Sequence, residues 1–184
     1  MTLATVYPKW NTRGSTALST VAVREYGGGG GLNKTVLELD AVEVAVGNTT
    51  GVSFGGTKLY TFPDGLIYTA GGSVVDLTLG FANAGNATPL AGTHGGDVSL
   101  GSTIAGDGSL TAADVNIMAS TSWDPLSTVL SAVSGTGAGL DGTSTAEDVW
   151  LNMIIDDGDV ADAASDILEV SGFVTVLWTL MGDT

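Results

Sequence analysis

Apolar residues in this chain recur at every second position, in short runs closed by glycine, asparagine or aspartate. The last run, FVTVLWTLM at 173–181, puts Val174, Val176, Trp178 and Leu180 on one side of an extended backbone. TVLELDAVEVAV at 35–46 alternates over most of its length, and EDVWLNMIID at 147–156 reads as a further strand. A helix cannot bury such a pattern, because its inner face recurs every three to four residues. The 28 glycines among 184 residues suit the turns between runs. About eight to ten short strands, with loops every 8–12 residues or so, predict an all-β fold. The expected architecture is a β-sandwich of jelly-roll or Greek-key type, with a closed up-and-down barrel as the alternative.

Local punctuation refines this reading. In VSFGGTKLYTF (52–62), Gly55-Gly56 marks a bulge or bend. Pro63-Asp64-Gly65 suits a tight turn in which proline presets φ and glycine accepts a positive one. LIYTAG and SVVDLTLGF are strands around Gly71-Gly72, and residues 82–96 form a loop too polar and small to pack. DVSLGSTIAG and ADVNIMASTSW flank a Gly-Asp-Gly turn. Between 124 and 143, the spacing of Leu126, Val129, Leu130 and Val133 predicts one short helical turn, capped by Asp124 or Ser122. Residues 1–32 read differently: ALSTVAVREY (17–26) is one strand, and Gly27 to Gly31 then break regular structure. The expected organisation is an arm with a glycine-rich joint at 1–32 and a sandwich body at 33–184. No solenoid or propeller period is present.

Charge is unevenly distributed. Lys9, Arg13, Arg24, Lys34 and Lys58 are the only basic residues, and sixteen of the twenty carboxylates follow residue 58. The first 58 residues carry a formal +1 (five bases, four acids) and the remainder −16. Such a body argues against nucleic acid as a ligand, since phosphate binding needs a basic face. The simplest reading of the acidity is solubility. The functional one is a mildly basic arm resting on an acidic neighbour such as a second copy, with Lys9, Trp10, Arg13, Arg24 and Tyr26 as the contact residues. Cysteine is absent, which removes disulfides and thiolate metal sites. The N-terminal residues lack a charged leader with an apolar h-region, and no apolar run reaches the roughly 18 residues of a membrane span. The expectation is a soluble protein made in a cytoplasm, without a membrane partner.

Catalytic chemistry finds little support. His94, the sole histidine, sits in the small-residue loop GTHGGD, and no G-x-S-x-G elbow accompanies it. Acid pairs beside aromatics, as glycosidases use, are hinted at only by Trp123-Asp124 and by Trp150 near Glu147-Asp148. These tryptophans read better as core anchors. Calcium favours acidic loops, and IIDDGDVADAASD offers Asp156, Asp157, Asp159, Asp162 and Asp166. Counted from Asp157, however, positions 5 and 6 of an EF-hand are Ala161 and Asp162. Asp107, Gly108 and Asp114 fit positions 5, 6 and 12, but Thr103 and Ala105 occupy positions 1 and 3. Both are read as solvated turns, the first remaining a weak metal candidate. GGGGG and GTGAGLDGTS lack a Walker lysine and a βαβ context. The residues thus predict no enzyme and no cofactor.

Three segments carry a resemblance. GGTKLYTFPDGLIYTAGGSVVDLTL, VSLGSTIAGDGSLTAADVNIMASTSW and VWLNMIIDDGDVADAASDILEVSGFVTVLWTL resemble segments of small virion structural proteins from marine tailed bacteriophages. The resemblance spans roughly residues 33–182 and departs from the pattern at Gly71 and Gly72, where a bulkier residue is expected. It implies a capsid decoration (cement) protein on the outer surface of the virion. Its implied partners are the major capsid protein and sister subunits, most simply in a homotrimer, and it implies no catalytic residues. The rival from another class is a carbohydrate-binding or adhesive β-sandwich, such as a calcium-assisted receptor-binding knob, presenting Trp123, Tyr68 or the loops at 82–96 and 134–146.

Overall fold

The computed structural model describes residues 18, 20–27, 31–49, 52–70, 74–81, 96–123, 130–133, 138–142, 147–155 and 166–182. Its strands are β1 (Val21–Tyr26), β2 (Asn33–Thr49), β3 (Val52–Thr61), β4 (Gly65–Thr69), β5 (Val74–Phe81), β6 (Gly96–Gly101), β7 (Met118–Trp123), β8 (Leu130–Val133), β9 (Ala138–Gly142), β10 (Asp148–Ile155) and β11 (Asp166–Gly182). A 3₁₀ turn, Ala112–Asp114, precedes β7. The fold is an all-β sandwich of two antiparallel sheets.

The two sheets share their central strands. β2 and β11 are 17 residues each and pair from Asp166↔Val46 to Trp178↔Asn33. One half of this ribbon carries β1 on β2 and β4-β9 on β11. The other half carries β3-β10-β6-β7 on β2, and β5-β8 lies along β11. The hydrogen-bonded path starts at β7 and ends at β9 without closing among the described residues, so the barrel alternative does not hold.

A bulge produces the bend between the halves. The register jumps from Val170↔Val42 to Gly172↔Leu39, leaving Asp40 and Ala41 opposite Ser171 alone. Ala41 adopts a left-handed φ of 52°, and its N–H donates to Ser171 Oγ at 3.0 Å. The extra residue reverses which parity of β2 points inward. Leu37 and Leu39 are buried before it, Val42 and Val44 after it.

The core lies between the layers. Trp178 is sealed at 1% exposure, its ring edge-on to Phe62 with centroids 5.2 Å apart, and Phe62 meets Tyr60 at 5.3 Å. Its indole Nε1–H donates to Thr35 Oγ1 at 2.8 Å, so a polar handle is satisfied in an otherwise apolar site.

Three expectations need correction. Residues 21–26, assigned to the arm, form a strand paired to β2 from Val21↔Leu39 to Tyr26↔Lys34, with Val21 in the core and Leu18 packed against it. Arg24 and Tyr26 therefore belong to the body, and Gly27 begins a connection between two paired strands. Pairing and burial, which composition does not show, place this boundary. The helical turn expected near Leu130 and Val133 is strand β8, paired to β5, and Ser122 lies within β7. Cross-strand hydrogen bonding to β5 there overrides the helical spacing. Finally, β3 and β10 stay in register through Gly55↔Met153 and Gly56↔Asn152, and the irregularity falls instead at Leu59, between Tyr60↔Val149 and Lys58↔Trp150. Gly65 does adopt the positive φ expected of the turn, at 122°.

Candidate functional site

The two outer faces of the sandwich differ, and the difference starts at β10. Val149, Leu151, Met153 and Ile155 point into the core, so Asn152 and Ile154 face outward, yet both are buried. The cover is the segment 102–117, which leaves β6 at Gly101 and folds back over β6, β10 and β3. Asn152 latches it with its whole amide: Oδ1 accepts from Ala105 N at 2.9 Å, and Nδ2 donates to Thr103 O at 2.9 Å and Asp114 O at 3.1 Å. Ser99, beside Asn152 in register, donates its hydroxyl to Asp114 O at 2.7 Å. Ser102 N donates to Ala113 O at 2.8 Å, and Asn116 Nδ2 to Ser102 Oγ at 2.9 Å.

Two glycines permit this approach. A Cβ on Gly56 would lie 2.3 Å from Asn152 Oδ1, and one on Gly101 would lie 2.3 Å from Ala113 O and 2.4 Å from Asp114 C. The second clash is with backbone, which cannot swing aside. Gly101→Ala is expected to lose about 1–3 kcal/mol, the usual penalty of overpacking. Gly106→Ala, where nothing lies within 4 Å of the added carbon, is expected to change little. Equal urea midpoints for the two variants would show that the segment is not held closely.

Carboxylates on this segment are engaged within it. Asp114 Oδ1 accepts from Thr103 Oγ1 at 2.8 Å. Asp107 Oδ1 accepts from the Ser109 hydroxyl at 2.5 Å and from its N–H at 2.9 Å. These bonds, the hydroxyl's first, hold the Asp107 carboxyl below its ordinary pKa. Among the described residues no three His, Asp or Glu side chains gather as a metal site. The partial EF-hand match of Thr103, Ala105, Asp107, Gly108 and Asp114 is thus an internally bonded loop.

Among the described residues, the other outer face, on the sheet β1-β2-β11-β4, is bare. Tyr26 on β1 registers with Lys34 on β2, and Lys34 with Leu177 on β11. Tyr68 on β4 registers with Thr179, and Phe173 with Glu38. Tyr26 is 53% exposed, Leu32 56%, Leu66 41%, Tyr68 48% and Phe173 46%. Lys34 Nζ lies 5.9 Å from the Tyr26 ring centroid, and Arg24 Nη2 bonds Glu38 Oε2 at 2.9 Å. Several exposed apolar side chains on one sheet face mark it as an interaction surface.

The residues singled out from sequence fare unevenly. Arg24 and Tyr26 lie together on this bare face, whereas Lys9, Trp10, Arg13, His94, Asp156, Asp157, Asp159 and Asp162 lie outside the described residues. Asp148, suggested as an acid beside Trp150, accepts from Thr61 Oγ1 at 2.7 Å and sits 3.5 Å from Lys58 Nζ. Its charge is compensated on the sheet surface. Glu25 receives the Tyr60 hydroxyl. Sequence reading missed Asn152, although a lone polar residue inside the apolar run VWLNMII was its signal. It also missed Leu66 and Phe173, which alternate with core residues on their strands. Among the described residues no helix is long and apolar enough to cross a membrane. In comparisons with protein-family models, curated proteins and solved structures, the chain matches none.

Proposed function

We propose that this chain is a non-enzymatic virion structural protein that decorates the capsid of a tailed bacteriophage. Its residues before β1 engage the major capsid protein, and its body contacts sister copies, clustered about a local threefold of the shell. It is made in the host cytoplasm and ends on the outer surface of the particle. The observation that carries this reading is the bare sheet face. Tyr26, Leu32, Leu66, Tyr68 and Phe173 present apolar surface, while on the covering segment Thr103 bonds Asp114 and Ser109 bonds Asp107. A protein whose task is to adhere needs such a surface and no reactive centre. The resemblance of GGTKLYTFPDGLIYTAGGSVVDLTL to phage virion proteins supports the same assignment.

Co-sedimentation with undecorated shells tests it. The truncation should remove residues 1–17 only, because deleting to residue 32 would take strand β1 and Val21 out of the core. Full-length protein is expected to pellet with shells and the truncated form to stay in solution. Failure of both to pellet would overturn decoration. One observation favours the adhesive reading: Tyr68 stands exposed beside Thr179, an aromatic next to a hydroxyl, as sugar-binding faces often have. Binding on a glycan array that Tyr68→Ala abolishes would shift the assignment there.

A further inference from the structure

We propose that copies of this chain associate head to tail, the bare face of one copy seating the 102–117 segment of the next, with Ile104 entering the apolar patch and Asp107 facing Lys34. This inference concerns self-association alone and does not depend on the virion assignment.

The distribution of exposed apolar side chains suggests the pairing. Of the six large hydrophobics exposed among the described residues, five lie on or beside the bare face, and the sixth is Ile104. Ile104 sits over Gly56 on the segment covering the opposite face, where it is 46% exposed although its neighbour Ala105 is buried. An aliphatic side chain projecting from a firmly latched loop matches in chemistry a patch of two tyrosines, two leucines and a phenylalanine.

Charge sets the polarity of the contact. At a formal −15, two copies repel unless positive charge lies in the interface. On the bare face Arg24 is bonded to Glu38, and Lys34 beside Tyr26 supplies the patch's exposed positive charge. The 102–117 segment brings Asp107, fully exposed, and Asp114, with no Lys or Arg anywhere along it. Because the face and the segment lie on opposite sides of the sandwich, the contact is heterologous. Its repetition closes a ring or extends a filament.

Sedimentation of the purified chain, with one variant for each half of the contact, provides the test. Tyr68→Asp spoils the face and Ile104→Asp spoils the segment, and both positions are solvent-exposed, so urea midpoints should stay near wild type. Wild type is expected to form oligomers that dissociate as salt rises, and each variant is expected to associate at least about thirtyfold more weakly. An equimolar mixture of the two variants should form a 1:1 heterodimer and nothing larger, because one intact segment then meets one intact face. A monomeric wild type at all concentrations would overturn the proposal. So would a mixture that stays monomeric, or an Ile104→Asp chain that assembles like wild type.

Discussion

Asn152→Asp is expected to lose about 3–5 kcal/mol of stability at neutral pH, the range for an uncompensated charge in a buried site. The change is nearly isosteric, so packing is preserved while the hydrogen-bond polarity is not. Asn152 is fully buried, and its Nδ2 donates to Thr103 O and Asp114 O, two acceptors that an ionised carboxylate would face with a third. Only the bond from Ala105 N to Oδ1 survives. Desolvation and the two carbonyls raise the introduced carboxyl's folded pKa above its unfolded value of about 3.9. The deficit relative to wild type is therefore smallest below that unfolded value and grows as pH rises through the folded pKa. Urea unfolding of both proteins at mildly acidic and neutral pH checks this. A deficit that does not change with pH would mean that charge is not the cause.

The second large effect is expected in the core. Trp178→Ala removes the largest fully buried side chain among the described residues, opens a cavity beside Phe62 and leaves the Thr35 hydroxyl without its indole partner. Large-to-small changes of this kind cost about 3–5 kcal/mol. Trp178→Phe keeps most of the volume and loses the N–H, so a smaller loss of about 1–2 kcal/mol is expected. Thermal or urea unfolding distinguishes the two contributions. If both variants fell equally, the hydrogen bond rather than the ring volume would hold this part of the core.

How far the sequence could be read depends on the range of the interactions involved. Strand identity was accessible because Val174, Val176 and Trp178 recur at every second position, and the structure buries that face while Phe173, Thr175, Leu177 and Thr179 are less buried. Even the bulge at Ala41 leaves a trace. The inward apolar residues run Leu37, Leu39 and then Val42, Val44, a slip of one in the period. What escaped depends on distant partners. Leu130 and Val133 have helical spacing, but their backbone pairs with Leu77 and Val74 more than fifty residues earlier. Gly56 resembles a bulge glycine, and only the register with Asn152 shows that it makes room for a segment from elsewhere. For the candidate surface, GLIYT is apolar at 66, 67 and 68 alike, so the sequence does not say which side faces out; the structure buries Ile67 and exposes Leu66 and Tyr68, and the exposure of that face depends on what the rest of the chain covers.

The long β2–β11 ribbon has a mechanical consequence. β1 begins opposite Leu39, at the bend, whereas β11 finishes beyond Asn33, at the far end of the same ribbon. Tension between a tether before β1 and a grip on the end of β11 thus runs along the strands and not across them. The hydrogen bonds of β1 to β2 and of β2 to β11 then resist sliding together, where a peeling geometry would break them one after another. Such a chain resists stretching along this axis and yields more readily when β1 is pulled sideways off its edge.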